Sequence, residues 1–127
     1  MNQNQFITTI LHEKSELLIE DRHKIDSNTY GIENHAEFVG KMNPYDNCLW
    51  DAVIPGYKKI IPKNKIYSVK EIIGMFWLSN GNHKVIVKVD ESGYSHIKAK
   101  DDLDMYINNY LKINRGLKGN WILGKGF

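Results

Sequence analysis

The chain has 127 residues, of which 42% are hydrophobic and 25% charged, with a net charge of +2 and a single cysteine. That balance excludes a wholly disordered chain and a disulfide scaffold. No apolar run approaches the roughly 20 residues of a membrane helix. The length suits a single globular domain over 1–127. The charge is uneven: residues 1–57 hold nine acids and four bases, and residues 58–127 hold six acids and thirteen bases. Met1-Asn-Gln-Asn-Gln5 carries no early cation and no apolar run follows it, so no signal peptide and a cytoplasmic location are expected.

Taken in chain order, Phe6, Ile7, Ile10, Leu11, Leu17 and Leu18 fit a long amphipathic helix. The same stretch also reads as two strands around His12-Glu-Lys-Ser15, with Thr8 and Thr9 favouring strand. Asn34-His-Ala-Glu37 has capping-box spacing and opens a short helix to about Met42. Pro44, Pro55 and Pro62 punctuate a loop-rich middle, within which Lys58-Lys-Ile-Ile61 can form a short strand.

Ser68-Val-Lys-Glu71 is a second capping box, and Ile72, Met75 and Phe76 share a helical face behind it. Asn80-Gly81 supplies the stop, so a helix is predicted over about 69–79. Val85, Val87 and Val89 alternate with Lys84, Ile86 and Lys88. Asp90-Glu-Ser-Gly93 then reads as a turn and Tyr94 to Ala99 as a returning strand, giving a β-hairpin over about 83–99. Leu103, Tyr106, Ile107, Tyr110 and Leu111 form one stripe of a helix over about 102–114, capped by Asp101 or Asp102. The glycine-rich tail around Trp121 can add an edge strand. The expected fold is therefore α+β: a small antiparallel sheet, made of the hairpin and one to three further strands, packed against two helices.

Three function classes follow. The leading one is a non-catalytic protein-binding domain, of the kind represented by small bacterial immunity proteins that neutralise a toxin by direct binding. Its partner would be a protein with a basic surface, met by Glu13, Glu16, Glu20, Asp21, Asp46 and Asp51 in the acidic half. Richness in Lys, Asn and Ile points to an AT-rich bacterial or phage source.

The second class is a small toxin-like enzyme. A ribonuclease would use His83 and His96 with Lys84, Lys98 or Lys100. A cysteine hydrolase would use Cys48 with His83. Asn47-Cys48, a histidine opening a strand and a downstream acid or amide form an order that resembles papain-like cysteine peptidases, although no glutamine precedes the cysteine at oxyanion-hole distance. The third class is a nucleic-acid binder using the basic residues of 58–125, including Lys112, Arg115, Lys118 and Lys125 around Trp121. No zinc-like Cys/His cluster, EF-hand or phosphate loop is present, so no metal, cofactor or membrane partner is expected.

Overall fold

The computed structural model describes residues 15–19, 34–58, 61–62 and 64–123. Six strands and one helix follow in order: β1 (Glu16–Ile19), β2 (His35–Asn43), β3 (Cys48–Val53), β4 (Ile66–Leu78), β5 (Lys84–Val89), α1 (His96–Ile113) and β6 (Gly119–Leu123). The sheet runs β1-β2-β3-β5-β4, and β1 pairs again with β4, so five strands close into a barrel. Only the β3–β5 pairing is parallel; the others are antiparallel. β6 joins the C-terminal half of β4 on the edge whose N-terminal half is taken by β1. Closure removes most of the free strand edge a small open sheet would leave.

Alternation decides which side chains fill the barrel. Leu17 and Ile19 of β1, Ala36 and Phe38 of β2, Trp50 and Ala52 of β3, and Val85, Val87 and Val89 of β5 are buried together inside it. The residues between them point outwards. A second apolar layer lies against α1, where Val53, Phe76, Leu78 and Ile86 of the wall meet Leu103, Tyr106 and Tyr110 of the helix. Each aliphatic side chain so buried contributes about 1.5–3 kcal/mol.

The expected sheet on two helices is overturned: the described residues form a closed five-stranded barrel with one helix, α1. The helix predicted over about 69–79 is strand β4. Register shifts fall between Val69 and Glu71, between Ile72 and Gly74, and between Met75 and Phe76. The first two place an extra residue in β4, and the third places one in β6. A bulge moves the side chains that follow it to the other face, so Ile72 and Met75 share the inner face at a helix-like spacing of three, while Phe76 points outwards. Both faces of the C-terminal half are also covered, with Met75 inside the barrel and Phe76 towards α1, so the run is continuously apolar. The Ser68–Glu71 capping box is not formed: Ser68 lies opposite Glu16 in the β1–β4 ladder, and Glu71 meets Lys88 at 3.5 Å.

The hairpin over 83–99 has only its first strand. Tyr94 makes an isolated bridge to Tyr57. Ser95 then caps α1, its hydroxyl accepting the Lys98 amide at 3.2 Å. The helix begins six residues before the expected 102, and its Leu103–Tyr110 stripe faces the wall. Asp102 is no cap; its carboxylate accepts the Gly56 amide at 2.9 Å and the Lys98 ammonium at 2.8 Å. The short helix at 34–42 is strand β2, also bulged. Of the proposed N-terminal helix over 6–20, Glu16–Ile19 is strand β1 and the remainder lies outside the described residues. Lys58 and Ile61 stand in a connection rather than a strand, and residues 59–60 lie outside the described set. The tail does supply strand β6. Among the described residues no helix is long and apolar enough to cross a membrane.

Candidate functional site

The ladder registers place one residue per strand in a row across the outer wall: Leu18, Glu37, Asp51, Lys84, Phe76 and Trp121. At its centre Lys84 Nζ donates to Asp51 Oδ2 at 2.8 Å and to Asn82 Oδ1 at 2.9 Å, and lies 5.3 Å from the centre of the Tyr110 ring. Only 5% of the Lys84 side chain and 11% of the Asp51 side chain is exposed. Asn82 in turn donates to the Tyr110 hydroxyl at 3.3 Å. The attraction in such a pair roughly offsets the cost of drying both ions. What the cluster secures is register: it pins the C-terminal half of α1 to β3 and β5. Asp51 is therefore committed to the interior and not to a docking face.

The buried neighbour His83 is also committed. Its Nδ1 accepts the Leu78 amide at 2.8 Å, and its ring stacks on Trp77 with centroids 3.4 Å apart and planes 12° apart. Tyr45 packs edge-on at 5.0 Å and Trp50 lies at 6.0 Å. Burial first, and the Lys84 charge second, lower its pKa from 6.5 to about 4. At neutral pH the ring is uncharged and its only lone pair is occupied, so it neither accepts nor delivers a proton.

Cys48 is exposed at the start of β3 while His83 is buried, and no hydrogen bond joins them. His96 opens α1 beyond the far end of β5, instead of lying on a partner strand. Six strand residues at about 3.3 Å each separate the two histidine positions by roughly 20 Å. The geometry thus assembles neither the Cys48–His83 pair nor the His83–His96 pair. No group of three metal-ligating side chains forms among the described residues.

The acidic positions are scattered. Glu13, Glu20 and Asp21 lie outside the described residues. Asp46 belongs to the β2–β3 turn, where its Oδ1 accepts the Cys48 amide at 3.0 Å. Glu16 stands exposed on β1. The basic residues of 58–125 are likewise partly spent: Lys84 on Asp51, Lys88 on Glu71 and Lys98 on Asp102. Five-stranded Greek-key barrels that bind oligonucleotides use the outer face of their second and third strands. Here that face carries Glu37 and the neutralised Asp51, with His35 against the Tyr106 ring at 5.4 Å.

The chain matches no family model, no curated protein and no solved structure. What its own surface offers is an apolar face on the other side of the barrel. Leu18 and Ile66 are direct partners in the β1–β4 ladder. Both point outwards, since Leu17 is inside and Tyr67 packs on the interior. They remain 41% and 58% exposed. Val39, 45% exposed, follows Glu37 on the same face of β2. Glu16 and Glu37 border these three apolar side chains with negative charge. Of these five residues only Glu16 is a docking candidate in the sequence; Leu18 and Glu37 read as parts of helices. The outward apolar residues break the polar half of their strands' alternation, and that is the one signal the sequence carried.

Proposed function

We propose that the protein is a non-catalytic binding domain that occupies another protein through the outer face of β1, β2 and β4. The role that suits it is that of a small bacterial immunity-type inhibitor that neutralises a toxin in the cytoplasm. One observation carries this reading: Leu18 and Ile66, side by side on a closed barrel, stay half-exposed next to Glu16 and Glu37. A hydrophobic centre with a charged border is how transient interfaces are built. The negative border selects a partner with a basic rim and speeds the encounter by steering. His83, the residue shared by both catalytic readings, is buried and stacked on Trp77.

The test is titration calorimetry against the product of the gene neighbouring this one, with toxin activity assayed in parallel. The expected result is a one-to-one complex that silences the toxin. Leu18→Glu and Ile66→Glu, which add charge at exposed positions, should each weaken binding at least tenfold, about 1.4 kcal/mol. Glu16→Lys with Glu37→Lys should slow association and remove most of its salt dependence. Absence of a complex, or one indifferent to Leu18→Glu and Ile66→Glu, overturns the proposal.

A further inference from the structure

At the end of β5 away from His83 lies a cavity of about 420 Å³. Two chain segments line it. The connection after β3 contributes Tyr57, Lys58, Ile61 and Pro62, and the β5–α1 turn contributes Glu91 and Gly93. We propose that this cavity binds a small zwitterion with an apolar body, of amino-acid or dipeptide size, its ammonium on Glu91 and its carboxylate on Lys58.

The apolar lining is preformed. The Tyr57 hydroxyl donates to the Val89 carbonyl at 2.8 Å and accepts the Val89 amide at 3.3 Å, so its one proton is already used. What Tyr57 offers the cavity is ring carbon, held in place by the edge of Tyr94 with centroids 5.6 Å apart. Ile61 is buried and fixed by its amide, which donates to Asn34 Oδ1 at 2.8 Å. Such walls need no reorganisation to receive a ligand.

The charges are what single the cavity out. Elsewhere nearby, opposite charges have found one another: Lys88 with Glu71, and Lys98 with Asp102. Lys58 and Glu91 line the same cavity, yet neither has an ion-pair partner among the described residues. Glu91 is nevertheless positioned. Its amide donates to the Val89 carbonyl at 2.8 Å. One cation and one anion that share a cavity without neutralising each other are matched by a ligand carrying both charges. A ligand with a single charge would leave the other wall unmatched. Gly93, at φ +89° with open space where a side chain would stand, keeps the entrance clear.

The experiment is an NMR titration of the full chain with L-leucine, L-phenylalanine and leucyl-leucine, following the amides of Ser92 and Gly93. Leucyl-leucinamide and N-acetyl-leucyl-leucine serve as probes lacking one charge each. The expected result is saturation with a Kd of about 1 mM or tighter for at least one zwitterion. The amide and the acetyl derivative of that ligand should bind about tenfold more weakly. Lys58→Ala should weaken the zwitterion about tenfold and leave the amide derivative unaffected; Glu91→Gln should show the mirror pattern with the acetyl derivative. Both side chains are exposed, and a urea melt of each variant verifies that folding is intact. Shifts that fail to saturate for every zwitterion, or equal binding of the singly charged derivatives, overturn the proposal.

Discussion

The two ends of β5 use similar residue types in opposite ways. At its start, His83 and Lys84 are buried, and their bonds run to Leu78, Asp51 and Asn82. Tyr45, from the β2–β3 turn, packs on the His83 ring, and Asn43 donates to the Gly81 carbonyl at 2.8 Å, so two turns lock together over that end. At its finish, Lys58 and Glu91 stand exposed beside a cavity, with no ion-pair partner among the described residues. The lesson is that a histidine or a buried ion pair is not by itself a sign of chemistry. Lys84 is held by a carboxylate and an amide, and His83 by one hydrogen bond and its ring stacking, with its Nε2 buried and without a hydrogen-bond partner; a charged group at the surface that is not matched has capacity left for a ligand.

The largest expected effect tests the closed end. Replacing Lys84 by Met leaves Asp51 buried without its ammonium, which costs about 3–5 kcal/mol. Adding Asp51→Leu should restore most of that loss, because the uncompensated charge goes too. Urea unfolding measures both. A loss under about 1 kcal/mol for Lys84→Met would mean that this end is wetter and looser than its geometry indicates, and the contrast would collapse.

His83 gives the next effect, read as a pH dependence. Its folded pKa of about 4 lies below the ordinary 6.5 because burial disfavours the charged ring. Between those values the unfolded chain takes up a proton that the folded chain refuses. Stability is therefore full above about pH 6.5, falls as the pH drops towards 4, and levels off below. The whole fall attributable to this ring is at most about 3 kcal/mol. His83→Asn, whose side-chain oxygen can accept the Leu78 amide, should flatten that part of the profile.

How far all this was legible in the sequence depended on whether neighbours along the chain were neighbours in space. The inward alternation of Val85, Val87 and Val89 and the Leu103–Tyr110 stripe are local patterns that do face the core, but the other face of β5, read as mostly wet, is covered too, with Lys84 and Ile86 buried. Strand β4 misled because two bulges interrupt its period of two, and because both faces of its C-terminal half are covered. The start of α1 was hidden behind Asp90-Glu-Ser-Gly93, whose turn chemistry suits a hairpin as well as the entry to a helix. The candidate docking face was out of reach for another reason. Leu18 and Ile66 lie far apart in the chain, and only closure of the barrel sets them side by side. The pairing of Asp51 with Lys84 depends on the parallel β3–β5 contact, which no local pattern announces.

Two glycines compare the ends at smaller scale. Gly81 and Gly93 both have left-handed backbone, with φ of 85° and 89°. A Cβ on Gly81 would lie 2.6 Å from the Tyr45 carbonyl oxygen, whereas one on Gly93 meets nothing within 4 Å. Gly93→Ala should thus cost only the backbone strain, about 1 kcal/mol. Gly81→Ala adds the displacement of the β2–β3 turn and should cost about 3 kcal/mol or more. Thermal melts should separate the two variants by several degrees, and equal losses would show that the turn over Gly81 yields without penalty.

The smallest effect is informative because it is small. Lys58→Ala and Glu91→Gln remove charges that have no ion-pair partner among the described residues, so each should change stability by less than about 0.5 kcal/mol. Chemically these substitutions resemble Lys84→Met, since each deletes a charged group from one end of β5. The difference in outcome has to come from what surrounds the charge. At Lys84 a carboxylate and an amide have been dried to receive it, whereas Lys58 and Glu91 are exposed. If either variant instead lost 2 kcal/mol or more, an internal partner would be holding that charge, and the open end would prove to be as fully committed as the closed one.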